Sequence, residues 1–248
     1  TKGVNMLREL IEKEKVDAII DGGGPTATNA EIPVVDEVGI PFIITASYAD
    51  HFIDPQKHPT VFRTIHPNSV VVASQVESAK NFLKANRIVI ITDTSGSAEE
   101  ARDLLIKKAQ EEKMEVLDVL SHETNAPDLK PTVLRASQKQ PEAIVWFAGP
   151  GAQAKGVIAM KELGIKIPVV ARSGSMLETF GLAAGEAGIG TYATFFKMPS
   201  MDGPAQKAYR AAYEAVYKEL DSNSMLGSPN YDAVMVLAEA WKKAGTTD

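Results

Sequence analysis

Short runs of branched apolar residues alternate along the chain with stretches in which apolar positions recur every three or four residues. The first pattern predicts strands at residues 16–20, 40–45, 87–92, 114–120, 143–148, 167–171 and 190–195. Several lack polar alternation, as strands covered on both faces require. The second pattern predicts helices at residues 5–13, 70–84, 98–112, 132–139, 153–163 and 205–220. Strands and helices taking turns in this way mark an α/β fold with parallel sheets and crossover helices. Ser97-Ala98-Glu99-Glu100 reads as a capping box, with the Ser97 hydroxyl accepting from the Glu100 N–H and the glutamate reaching back. Ser228 reads as an N-cap and Pro229 as the opening residue of a last helix with the stripe Ala233, Val236, Leu237 and Trp241. Trp146, inside an apolar strand, is expected in the core. The irregular residues 52–59 and 198–204 are expected to connect lobes.

Charge narrows the partners. The chain has 248 residues, 26 Lys+Arg against 32 Asp+Glu, and a net charge of −6. With no basic run, it lacks the concentrated positive charge that binds nucleic acid or an anionic membrane surface. The longest purely apolar stretch, residues 143–148, is far shorter than the roughly 20 residues that span a bilayer. Cysteine is absent, which excludes thiol nucleophiles, Cys-ligated zinc and redox pairs. The length suits one large domain or two ordinary lobes, and either buries enough apolar surface to fold without staples. Thr1 opens without Met or a charged-then-apolar leader, so a mature, trimmed or fragmentary chain is expected.

Candidate chemistry gathers where the apolar strands end. Five clusters of small or hydroxylated residues precede helices: Gly22-Gly23-Gly24-Pro25-Thr26, Thr45-Ala46-Ser47-Tyr48, Thr92-Asp93-Thr94-Ser95-Gly96-Ser97, Gly149-Pro150-Gly151 and Ser173-Gly174-Ser175. In an open parallel sheet these ends face one crevice, where small residues expose backbone N–H groups and helix N-termini favour an anion. Gly22-x-Gly24-x-x-Ala27 and Gly149-x-Gly151-x-x-Ala154 both fit the dinucleotide pattern, but no acid follows on the next strand to hold a ribose, so NAD binding is a minority reading. His51, His58, His66 and His122 show no metal-ligand spacing, and no nucleophile elbow surrounds any serine. Asp93 ends an apolar strand and serves either a ligand or the turn. Tyr48 either covers a ligand or packs on a helix, and Arg172 pairs either with a carboxylate or with a surface or hinge acid.

In order and spacing, these motifs resemble the extracytoplasmic solute-binding proteins of branched-chain amino-acid-type ABC transporters, of the type I periplasmic-binding fold. The markers are Lys15-Val16-Asp17-Ala18-Ile19-Ile20 with its glycine loop, Gly39-Ile40-Pro41, Val61-Phe62-Arg63-Thr64, the turn at Asp93, Lys161-Glu162-Leu163-Gly164-Ile165, and Tyr231-Asp232-Ala233 leading to Lys243-Ala244-Gly245. The resemblance implies two Rossmann-like lobes, residues 1–65 with 195–248 and residues 66–194, the first incomplete, with crossings near residues 63–67 and 194–197. It implies no catalytic residue and no cofactor or metal. It also implies a small organic carboxylate or amino acid bound between the lobes, a membrane permease as partner, and a periplasmic or cell-surface location.

Carried over position by position, the ligand loops fall at Gly24, Pro25 and Thr26; Ala46, Ser47 and Tyr48; Ser97; Gly149 and Pro150; and Gly174. Asp93 and Arg172 join them from the reading of the strand ends. Gly174 stands where amino-acid binders of the family carry the acid that meets the ligand ammonium, and Pro25, Tyr48 and Ser97 are further departures. A carboxylate without an ammonium is therefore the expected ligand. The alternative role is the effector-sensing domain of a receptor or regulator.

Overall fold

In the computed structural model, described for residues 2–176, 178–194, 203–218 and 224–247, the chain divides into two compact units. One comprises Thr1–Pro67 with Pro199–Asp248 and the other Asn68–Met198. In chain order the principal elements begin with α1 (Lys2–Glu12), β1 (Ile19–Asp21), α2 (Pro25–Val38), β2 (Phe42–Ile44) and β3 (Val61–Arg63). There follow α3 (Asn68–Glu77), β4 (Arg87–Asp93), α4 (Ala98–Glu111), β5 (Glu115–His122), α5 (Lys130–Gln138), β6 (Ala143–Phe147) and α6 (Pro150–Glu162). The last are β7 (Val169–Ala171), α7 (Glu178–Ala184), β8 (Thr191–Ala193), α8 (Pro204–Tyr217) and α9 (Ser224–Ala244).

The first unit has a parallel sheet in the order β1-β2-β3. Its register alternates the faces: Ile19, Phe42 and Val61 align on one, and Ile20, Ile43 and Phe62 on the other. Leu7 of α1 and Ile32 and Val35 of α2 close over the first face. Ala233 and Leu237 of α9 cover Ile43 on the second, with Ile20 and Trp241 at the margin. Helix α2 opens with Pro25, whose missing N–H costs nothing in a first turn, and ends at Gly39 in the left-handed region (φ 81°), whose N–H returns to the Val35 carbonyl.

The second unit has five parallel strands in the order β5-β4-β6-β7-β8. The central strands β4 and β6 are buried on both faces, which explains their unbroken apolar runs. Trp146 lies fully buried in β6, as expected, and α6 crosses its ring at Gly156, where a β-carbon would overlap the indole. No described helix is long and apolar enough to cross a membrane.

Several sequence expectations need correction. No residue range was predicted for helices α2 and α7, and strand β3 was not among the predicted strands. Helix α2 buries Ile32, Val34 and Val35 in a bunch around an internal Pro33 rather than in an even stripe, and β3 is only three residues long. The helix expected at 70–84 starts at Asn68 and gives way at Ser78–Phe82 to a wider π-type turn. No capping box forms: Ser97 precedes α4 without a side-chain cap bond, and the Glu100 carboxylate accepts instead from Asn68 Nδ2 at 2.7 Å. Ser228 does not begin a helix, because α9 already runs from Ser224 and holds Pro229 in its interior. Residues 52–59 belong to the first unit, with Phe52 in its core, and do not connect units. Expectations placed on residues 195–202 and 219–223 lie outside the described residues.

Candidate functional site

In the first unit an acid not singled out in the sequence organises the strand ends. Asp21 closes β1 with Oδ1 accepting from the Gly23 N–H at 2.6 Å and Oδ2 from the Thr28 hydroxyl at 2.6 Å. With that proton committed to Asp21, Ser47 becomes the donor in its 2.6 Å contact with Thr28, and the Gly23 carbonyl also lies within its reach at 3.2 Å. The loop after β1 and the loop after β2 are thereby tied through two fully buried hydroxyls. Gly23 is the glycine this turn requires, since a β-carbon there would press on Asp21 Oδ1; Gly24 has open space around it.

Of the expected ligand residues in this unit, Gly24 precedes α2 in extended conformation, Pro25 is half-buried and Thr26 is exposed. Ala46 is half-buried, the Ser47 hydroxyl is engaged internally, and Tyr48 is buried with its ring in a T-shaped contact with His66. Arg63 Nη1 holds the Tyr48 and Ala49 carbonyls at 3.3 and 2.8 Å. Thr45 Oγ1 bridges the Asp21 carbonyl to Asn230 of α9 at 2.9 and 3.0 Å. Since Ala27 and Thr28 donate to the Gly24 carbonyl and Pro25 has no N–H, the open donor at the start of α2 is Thr26 N–H. Burial, and then the nearby charge of Asp21, hold the Glu31 carboxyl above the ordinary glutamate range.

In the second unit Asp93 closes β4. Its Oδ1 accepts from Ser95 N at 2.9 Å and its Oδ2 from Gly149 N at 3.1 Å, so one buried carboxylate joins the loop before α4 to the start of α6. Gly149 is extended at φ −67° and ψ 154°, and Pro150 opens the helix. Gly174 packs against this corner, where an added β-carbon would stand 3.3 Å from Pro150 Cδ. Asp93, Gly149, Pro150 and Gly174 thus come together, whereas Ser97 is buried at the head of α4 with no cap bond from its side chain. The Arg172 guanidinium lies over the Phe147 ring at 4.9 Å.

Two further side chains that the sequence reading passed over, Gln153 and Gln75, lie beneath these loops, together with His122, which it weighed only as a metal ligand. Gln153 Nε2 donates to the Trp146 carbonyl at 2.8 Å and its Oε1 accepts from the Ser175 hydroxyl. Gln75 Nε2 reaches the Trp146 and Val170 carbonyls at 3.1 and 3.3 Å. The signal for Gln153, a polar residue one turn into a helix that starts Gly-Pro, is shared by Thr28. His122 donates from Nδ1 to the Glu123 carbonyl and accepts the Trp146 indole N–H at Nε2, which fixes its neutral tautomer. Both units thus present backbone N–H groups at helix starts while the carboxylates that close β1 and β4 are turned inward. That chemistry suits an anion.

A family model described as periplasmic binding protein matches residues 1–248. Among solved structures, a leucine-binding protein from Thermotoga maritima is 25% identical with a TM-score of 0.86, and the match covers 100% of this chain and 70% of that one. A branched-chain amino acid transporter substrate-binding protein from Streptococcus pneumoniae, in complex with isoleucine, is 23% identical with a TM-score of 0.85 over 99% of this chain and 70% of that one. An ABC-transporter solute-binding protein from R. palustris, in complex with 4-hydroxybenzoate, is 21% identical with a TM-score of 0.87 over 99% and 67%. No curated protein matches.

Proposed function

The chain belongs to the periplasmic binding protein family, and on that premise we propose that it is the extracytoplasmic solute-binding component of a branched-chain amino-acid-type ABC transporter. It delivers a small organic carboxylate to a membrane permease and performs no chemistry on it. The ligand is held by the strand-end loops, with Gly24, Pro25, Thr26, Ala46, Ser47 and Tyr48 in one lobe and Ser97, Gly149, Pro150, Arg172 and Gly174 in the other. The lobes comprise residues 1–65 with 195–248 and residues 66–194.

The observation that carries this reading is the inward commitment of Asp21 and Asp93. Each carboxylate has both oxygens bonded within its own unit, and the loops around them offer N–H donors. A carboxylate ligand finds partners in such a setting. An ammonium needs acceptors, and a buried cation left unpaired costs several kcal/mol. The related proteins span both possibilities, one holding isoleucine and another 4-hydroxybenzoate.

The test is a thermal-shift screen of the protein with 4-hydroxybenzoate, benzoate, leucine, isoleucine, valine and the deaminated counterparts of the three amino acids. A ligand at about 100 times its dissociation constant adds roughly 2.7 kcal/mol of stability. Stabilisation by the acids and not by the amino acids is expected. The opposite ranking overturns the carboxylate preference and returns an amino-acid binder.

A further inference from the structure

We propose that Asp93 is a positioning residue, fixing the spacing of the second unit's binding loops without itself touching the ligand. The inference deepens the solute-binding reading and rests on it for the purpose of those loops. The carboxylate is 3% exposed, and its two oxygens receive N–H groups from two separate stretches of chain, Ser95 at 2.9 Å and Gly149 at 3.1 Å. Through Gly149 it governs Pro150, on which Gly174 packs. Thr94, beside it, carries the linkage outward, donating to Glu123 Oε2 at 3.2 Å and accepting from Thr124 N at 3.2 Å. The ends of β4 and β6 therefore meet on one acid, and those of β5 and β7 are attached to it at one remove, through Thr94 and Pro150.

A negative charge at this point also lies at the N-terminal end of α6, where aligned peptide dipoles favour it. The geometry leaves the Gly151 and Ala152 N–H groups as the open donors of that turn, because Gly149 N is spent on Asp93 and Gln153 N on the Gly149 carbonyl. Their position is set by how firmly Gly149 is held. Asp93 thus acts on a ligand through Gly149 and Pro150.

Two variants remove the linkage to different depths. Asp93→Asn keeps the shape but offers one acceptor oxygen in place of two, turning an amide N–H toward a backbone N–H. Asp93→Ala removes both acceptor oxygens and leaves the Ser95 and Gly149 amides without their partner.

Residue-resolved amide hydrogen exchange on the whole chain is the primary measurement, followed by calorimetric titration with 4-hydroxybenzoate and with isoleucine. In Asp93→Asn the Gly149 and Ser95 amides should exchange about tenfold faster or more, while Ile90 in β4 and Val145 in β6 keep their protection. In Asp93→Ala both amides should exchange at least as fast as in Asp93→Asn, and the probe that wild type binds should weaken about tenfold in both variants. Equal acceleration at Ile90 and Val145 identifies a general loss of stability and overturns the proposal. So does unchanged protection at Gly149 and Ser95, or unchanged affinity in variants whose loop has loosened. If neither probe binds wild type, the ligand classes proposed above fail, and the exchange comparison alone decides whether Asp93 holds the loops.

Discussion

In the first unit the acid that ends a strand, Asp21, reaches the neighbouring loop through the hydroxyls of Thr28 and Ser47, whereas in the second Asp93 takes the backbone N–H of Gly149 directly. Both units also start a helix with Gly-Pro and bury a polar side chain four residues past the glycine. Thr28 turns toward the strand-end acid and Gln153 toward the Trp146 carbonyl of the sheet below. The same backbone need, a fixed helix start at a strand end, is met with different side chains. The difference has a thermodynamic side. A relay through hydroxyls is removable one atom at a time, but a carboxylate shared by two backbone groups is lost as a whole.

The largest expected effect lies in the second unit's core. Gly156→Ala forces a methyl into the Trp146 ring, and overpacking of this kind costs about 3 kcal/mol. Denaturant unfolding should show the loss, and Trp146→Phe in the same chain should recover part of it by making room. Strictly additive effects would mean the helix shifts instead of clashing. Next comes the relay of the first unit. Thr28→Val leaves Asp21 Oδ2 buried without its donor and should cost about 2 kcal/mol, against about 1 kcal/mol for Ser47→Ala, which deletes a weaker neutral link. Equal losses at the two positions would show that Asp21 is not the centre of the relay.

The smallest effects are those of pH, and they have opposite signs in the two units. Glu31 is raised above its ordinary value of 4.5 by burial and by Asp21, so the native state there holds its proton more tightly than the unfolded chain. Its contribution is a penalty absent below that value and fully developed once pH has risen past the raised one. Glu31→Gln should therefore stabilise at neutral pH, with the gain fading in acid. Glu142, in the second unit, is lowered by the Asn86 and Arg87 N–H groups it accepts at the start of β4. It adds stability above the ordinary value that is lost as pH falls through the lowered one, so Glu142→Gln should show a slight loss at neutral pH that disappears in strong acid. Melting temperatures across pH 3–8 for the two variants check both directions. Parallel curves would contradict the assignment.

What the sequence reveals differs between the units for the same physical reason. Central strands of a five-stranded sheet are buried on both faces, so β4 and β6 announce themselves as continuous apolar runs. The three-residue strands of the first unit carry too few positions to show a period, and β3 passes unnoticed. Asp93 was legible because it stands at the end of a long apolar strand. Asp21 stands in the same relation to β1, yet the glycines after it suggest a nucleotide loop, while the structure gives Gly23 the plainer task of clearing the Asp21 oxygen. The strand-end location of the candidate loops follows from topology and was open to sequence reasoning. Which side chains are spent inside, as Ser47 and Asp93 are, depends on contacts between residues far apart in the chain and was not.

The hydrogen bond between the Trp146 indole and His122 gives the second unit an optical identity of its own. The chain has two tryptophans, Trp146 in the second unit and Trp241, partly buried on α9, in the first. A fully enclosed indole emits at shorter wavelength than one that meets water, so each unit carries a separate intrinsic fluorophore. Replacing Trp241 with Phe leaves a single emitter whose red shift on unfolding reports the second unit alone, and replacing Trp146 leaves one that reports the first. Whether the two units melt together or in sequence can then be read from emission spectra without any added label.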